Sequence, residues 1–277
     1  SFRNLGTVHK LEDKFITGMT NRGYEADYAE RCFSQIKGFA DYGFPESHAA
    51  AFAMLAYASA WLKCHHPEMF ACALLNSQPM GFYAPAQIVR DASDHGVELR
   101  PIDINHSDWD SLLEALPDNR WGWALRLGMR QIKGVREQTA ITLAAARHRP
   151  FTDVEDLHVR TRLPVSQIEK LAEADAFRSC NLDRRQALWQ VRGLADTPDL
   201  PLFKHADAPA RGAESPAELP VMPLSEHVVN DYQTLRLSLK AHPLSFLRAM
   251  LSRKGVTPCG DLIKKKNGDK ISVAGLV

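Results

Sequence analysis

The longest apolar stretch of the chain runs from Ala49 to Leu62, and its length decides what it can be. It falls well short of the ~20 residues that cross a bilayer, and Lys63, His65 and His66 follow it at once. A membrane span is excluded, and a buried helix is expected instead. The stretch belongs to an Ala-rich segment that continues to Asn76 with one interruption at Pro67, where a helix must break because proline has no N–H to donate. Residues 8–40 carry helical spacing with polar faces and are expected to break at Gly23 and Gly38.

Beyond this helical region the pattern changes. Residues 97–106 are short, β-branched and interrupted by Pro101, and Trp121 to Met129 alternates well enough for a strand. Two helix-turn-helix units follow from Gln131 onward, the second lying at Pro164 to Phe177. Ala206 to Pro223 is rich in Ala, Pro, Glu and Gly with few large apolar residues, which predicts a linker. Glu226 to Met250 is helical in period with a break near His242-Pro243, and the run Lys264 to Lys270 reads as a turn leading into a strand.

The chain has 277 residues, 45% of them hydrophobic, enough to bury a sizeable core and to build two domains. Net charge is only +1, yet it is unevenly spread: residues 125–195 carry 13 Lys and Arg against 8 Asp and Glu, whereas residues 1–124 carry 10 against 16. The middle third is the natural seat for an anionic partner. Five scattered cysteines (Cys32, Cys64, Cys72, Cys180, Cys259) form no CxxC pair, which argues against both a disulfide framework and a zinc knuckle and fits a reducing cytoplasm. Cys64-His65-His66 is not a metal site, since adjacent helical residues point in different directions. Asp108 and Asp110 flank Trp109 with no basic or phosphate-binding neighbour and are expected to be solvent residues. The absence of an initiator Met and the apolar end at Ile271 to Val277 suggest a piece of a longer protein.

Three stretches carry chemistry. In the first, Gly43-Phe44-Pro45 forms a turn and Ser47 can cap a helix whose free N–H groups favour an anion, with Tyr42 and Phe44 beside it. A capped core helix with two packed aromatics is the plainer alternative. In the second, Ile132-Lys133-Gly134-Val135-Arg136 is a tight turn opening a helix, a form that lets backbone N–H groups approach a phosphate with Lys133 and Arg136 as nearby cations. A helical spacer without DNA contact is its alternative. In the third, Asp199-Leu-Pro-Leu-Phe203 offers Leu200, Leu202 and Phe203 as apolar anchors of a short docking peptide, or simply as linker residues.

The stretch Phe39-Ala-Asp-Tyr-Gly-Phe-Pro-Glu-Ser-His-Ala-Ala-Ala-Phe52, followed by Tyr57-Ala-Ser-Ala-Trp-Leu-Lys-Cys-His-His-Pro-Glu-Met-Phe70, closely resembles the fingers motif of bacterial DNA polymerase III α subunits. Pro45 and Glu46 replace the Asn-Lys pair of the replicative enzymes, and this form is similar to the error-prone branch of the C family. Neither Pro nor Glu can donate to a phosphate, so the resemblance places no phosphate contact there. It implies a nucleotide and template pocket at Tyr42, Phe44, Ser47 and His48, and DNA contact by Lys133, Gly134, Val135 and Arg136 in the first of two tandem helix-hairpin-helix modules. Arg136 stands where the second glycine of such a hairpin is usual. The second hairpin, Glu173 to Phe177, is acidic and glycine-free and implies no DNA contact. Leu200, Leu202 and Phe203 fall where replicative relatives carry a sliding-clamp peptide, here without its leading Gln.

The fold expected is mainly α with small β elements. It comprises a fingers segment at 1–124, tandem helix-hairpin-helix at 125–180, a helix and linker at 181–223, and at 224–277 a helical approach to the first strand of an OB-fold. The resemblance implies an error-prone DNA-directed DNA polymerase of damage-induced mutagenesis and translesion synthesis. Its partners would be primer-template duplex, deoxynucleoside triphosphates, a sliding clamp and other mutagenesis proteins, with Mg2+ held in the palm of the intact enzyme. No catalytic residue and no cofactor are assigned within this chain. The competing class is a non-enzymatic helix-hairpin-helix DNA-binding or clamp-docking adaptor.

Overall fold

A computed structural model describes residues 5–41, 46–81, 83–194 and 219–275, without the side chains of residues 5–10, 38–41, 46 and 47. Tyr42, Phe44, Leu200, Leu202 and Phe203 lie outside the described residues, and of Ser47 only the backbone is described. The chain divides into two compact units, residues 1–64 and 65–277.

In the first unit, helices α1 (Leu5–Thr20) and α2 (Ala26–Asp41) pack together, with the Phe15 and Phe33 rings 5.6 Å apart. The turn between them needs Gly23, whose φ of +89° is a left-handed conformation that side chains with a Cβ resist. Gly38, expected as a second break, instead lies inside α2. A single interior glycine costs a helix only about 1 kcal/mol, which the pairing with α1 can offset. Helix α3 (Glu46–His65) forms where the Ala-rich stretch predicts it, but it is not buried. Phe52, Met54, Leu55, Tyr57 and Trp61 are all exposed, from 46% at Trp61 to 74% at Tyr57.

The second unit opens with α4 (Pro67–Asn76), which Pro67 starts at its first position, and α5 (Pro85–Asp94). Both helices pack on a three-stranded sheet of order β1-β3-β2. Strand β1 (Glu98–Arg100) runs parallel to β3 (Trp123–Arg126), and β2 (Leu112–Ala115) runs antiparallel to it, in a register that sets Glu114 opposite Ala124. On one face Glu114 lies between Arg100 and Arg126 and is ion-paired to both. Burial pushes the Glu114 carboxyl upward, but hydrogen bonds from Arg126 and Arg100 outweigh it and hold the group below its ordinary range. Asp108 and Asp110 are not bare solvent residues: Arg147 reaches Asp108 at 3.1 Å and Arg130 reaches Asp110 at 2.6 Å. These partners come from 20 and 39 residues away, which local sequence spacing cannot reveal.

Four helices follow: α6 (Glu137–Ala146), α7 (Val154–Thr161), α8 (Val165–Glu173) and α9 (Arg184–Gly193). Asp153 caps α7, and Asp183 with Gln186 forms a capping box on α9, so both starts have partners for their free N–H groups. One continuous apolar core runs through the sheet and these helices, from Leu75 and Ile88 through Leu125 and Met129 to Leu143, Ile168 and Phe177. Helix α10 (Leu224–Leu235) ends earlier than its periodicity suggests, at Arg236, whose φ of +62° closes the helix. Short helix α11 (Arg248–Arg253) follows, and Ser272 forms an isolated parallel bridge with Val256.

Helix α10 is held against the α8–α9 turn by a buried polar knot. Arg184 of α9 is ion-paired to Asp231 and donates to the His227 carbonyl at 2.9 Å. Lys240 binds both Asp231 and Asp175, at 3.0 and 3.1 Å. Asp175 occupies the turn with φ +62° and also accepts from Arg178 Nε at 2.9 Å. His227 sits among these groups, 3.9 Å from Asp175. Burial pushes its pKa below the usual 6.5, and the cations Arg184, Arg178 and Lys240 add to that against the pull of Asp175. The unfolded chain therefore takes up this proton at higher pH than the native state. Stability is complete above about pH 6.5 and falls as pH drops through that value toward the depressed native pKa. Thermal melts between about pH 7 and about pH 5 are expected to show a drop in midpoint that is smaller in His227→Gln.

Candidate nucleic-acid interface

The first hairpin is built by the end of the sheet. After β3 the chain makes a single 3-10 turn at Met129–Gln131, drops Ile132 and Val135 into the core, and turns at Gly134 with φ +86° into α6. That positive φ is why glycine is needed here. Lys133, Gly134 and Arg136 are exposed, and among the described residues neither cation forms an ion pair. Val135 is 8% exposed, so its side chain serves the core rather than the surface.

The backbone donors of this turn divide into two groups. Lys133 N–H donates to the Thr234 carbonyl of α10 at 2.9 Å, and Val135 N–H donates to the Ile132 carbonyl at 3.3 Å. Arg136 N–H donates to Gln167 Oε1 of α8 at 3.2 Å. The N–H groups of Gly134, Glu137 and Gln138 have no hydrogen-bond partner among the described residues. These donors and the two cations belong to exposed residues at the start of a ten-residue helix, an arrangement suited to a phosphate group. Glu137, exposed in the same first turn, sets an opposing negative charge beside them.

The second hairpin is closed to such a ligand. Its Asp175 carboxylate already binds Arg178 and Lys240, and α10 packs against α8 beside it. Elsewhere, His48 is exposed in the first turn of α3, with its ring 4.4 Å from that of Phe52. Two participants escaped the sequence: Gln167 and Thr234 reach the first hairpin from 31 and about 100 residues away, and nothing in their local sequence marks them. Among the described residues, no three His, Cys, Asp or Glu side chains gather as a metal site. No helix among them is long and apolar enough to cross a membrane.

A helix-hairpin-helix motif model matches residues 96–187, which takes in the sheet, both hairpins and the start of α9. Over its whole length the chain is 55% identical to a protein of Brucella abortus biovar 1 named error-prone DNA polymerase, of which it spans 26%. It is 55% identical over 280 aligned residues to the protein of that name from Ruegeria pomeroyi, and 50% identical over 299 to that from Rhodopseudomonas palustris, spanning 25% of each. The chain thus spans about a quarter of the length of the curated relatives it matches, and within that quarter the similarity covers all of its residues.

Proposed function

We propose that the intact protein is an error-prone DNA-directed DNA polymerase acting in damage-induced mutagenesis and translesion synthesis, in which this chain holds DNA. The observation that carries the reading is the 50–55% identity to proteins of that name over alignments that span the whole chain. On this reading residues 1–124 are fingers, with Tyr42, Phe44, Ser47 and His48 lining the pocket for incoming nucleotide and template. Residues 125–180 are the tandem helix-hairpin-helix domain, and 224–277 lead into an OB-fold. The exposed apolar side chains of α3 then lie against nucleic acid or the rest of the polymerase. The Mg2+ of such an enzyme is assigned to carboxylates of the palm of the intact protein. Primer extension by the intact protein, on templates with and without an abasic site, tests the reaction and the damage tolerance together. Failure to extend any primer ends the polymerase reading.

The first hairpin gripping duplex phosphates follows from its free donors and unpaired cations. Such contacts carry no base information, so binding should ignore sequence and weaken steeply with salt. Lys133→Ala together with Arg136→Ala is expected to flatten the plot of log affinity against log salt by roughly one to two units, since each lost phosphate contact removes about 0.9. Residues Leu200, Leu202 and Phe203 are proposed as anchors for a sliding clamp. The expected result is co-elution with the clamp that Leu202→Ala with Phe203→Ala abolishes.

A further inference from the structure

We infer that Gln167 is a positioning residue for DNA contact, holding the first hairpin in shape in place of the glycine that Arg136 replaces. The inference rests on the reading of that hairpin as the phosphate grip. From the first turn of α8, the Gln167 side-chain amide reaches both arms of the turn. Its Oε1 accepts from the Arg136 N–H at 3.2 Å and from the Thr139 hydroxyl at 2.8 Å, while its Nε2 donates to the Gly134 carbonyl at 3.3 Å. The amide therefore closes across the Gly134–Arg136 turn much as a neighbouring strand would. Thr139, buried at 3% exposure, anchors it from below.

This arrangement has a chemical consequence at Arg136. A residue with a Cβ holds extended backbone there, at φ −98°, and its N–H is turned onto protein rather than outward. One donor is lost to the ligand, and in return the carbonyl of Gly134 and the amide of Arg136 are tied to a single rigid group. The donors that stay free, on Gly134, Glu137 and Gln138, are thereby fixed relative to one another before DNA arrives. Preorganised donors bind more tightly than the same donors on a loose turn, because less ordering is left for the binding step. Gln167 itself is neutral and adds nothing to counterion release.

The test measures binding of the full chain to a fluorescent duplex over a range of salt, for wild type, Gln167→Met, Thr139→Val and the paired Lys133→Ala, Arg136→Ala variant. Gln167→Met keeps the volume and removes all three hydrogen bonds. It is expected to weaken binding about fivefold at every salt concentration with the slope unchanged, as the loss of neutral positioning bonds requires. Thr139→Val, which removes one of the three, should lose less with the same parallel displacement. The Lys133, Arg136 variant should instead change the slope. If Gln167→Met binds as wild type or more tightly while the Lys133, Arg136 variant loses affinity and slope, the positioning role is overturned and the phosphate grip stands. If both Gln167→Met and Thr139→Val lose affinity only in proportion to their unfolded fraction, measured by thermal melting in the same buffers, the role is structural and the proposal fails. If wild type does not bind, or the Lys133, Arg136 variant keeps its slope, the reading of the hairpin falls and the inference with it.

Discussion

Arg184→Ala is expected to destabilise the unit of residues 65–277 by about 3–5 kcal/mol, the cost of removing one partner from a buried ion pair. Arg184 is 1% exposed, as is Asp231, and the guanidinium also donates to the His227 carbonyl. Its removal strands a carboxylate inside the protein with Lys240 and the Ser238 hydroxyl as its only described partners, the latter donating at 2.7 Å. For a unit of this size, roughly 2–4 °C of melting temperature accompanies each kcal/mol, so the midpoint should fall by roughly 6–20 °C. A second variant separates the pair from the space it fills. Arg184→Met with Asp231→Leu removes both charges while keeping most of the volume, and it should recover much of the loss, since a buried ion pair is rarely worth more than an apolar replacement. Recovery would identify the loss of charge balance around Asp231, rather than the lost volume, as the cause. If Arg184→Ala melts within about 2 °C of wild type, α10 does not depend on this knot.

The knot illustrates what can and cannot be read from sequence. Breaks at Gly23 and Pro67 are legible because each depends on a local property, a left-handed turn or a missing N–H. The hairpin at Lys133-Gly134 is legible for the same reason. Strand β2 is not legible, because Leu112-Leu-Glu-Ala115 shows no alternation; the strand forms by pairing with β3, ten or so residues away, where Glu114 meets Arg126. The reading of Gly38 as a break gave a local propensity more weight than the packing of α2 on α1 allows. The expectation that Ala49 to Leu62 is buried follows from its apolar composition, yet composition gives no information about what covers it, and α3 stands exposed. Near the hairpin, Lys133 and Arg136 advertise themselves by charge. Gln167 and Thr234 act through geometry alone, and only the fold brings them there.

Gly128→Ala should be among the most damaging single substitutions in the chain, although it adds only one methyl group. Its backbone, at φ −82° and ψ 154°, is open to any residue, so conformational freedom is not the reason for glycine here. The reason is contact. A Cβ at 128 would stand closer than 3.0 Å to backbone atoms of Trp109, Asp110 and Ser111, all on the segment that leads into β2. A flexible side chain could swing away, but this backbone is held on several sides. Met129 N–H donates to the Asp108 carbonyl at 2.8 Å, and Arg130 N–H to the Trp109 carbonyl at 3.0 Å. Asn76 grips Ser111 twice, donating to its carbonyl and accepting from its N–H, each at 2.8 Å. Arg130 ties the same region to the Asn76 and Gln78 carbonyls at 2.6 and 2.9 Å. Moving the segment to admit a methyl group would stretch several of these bonds at once, so the cost should reach about 3 kcal/mol or more, at the upper end for overpacking. The control is Gly193→Ala at the end of α9, where a Cβ would meet nothing within 4 Å. That change should be neutral or stabilise by a few tenths of a kcal/mol, because it lowers only the freedom of the unfolded chain. Denaturant titration of both variants reads the contrast directly. Equal stability of Gly128→Ala and Gly193→Ala would mean that the β2 approach yields without resistance, and that the bonds from Asn76 and Arg130 do not hold it in place.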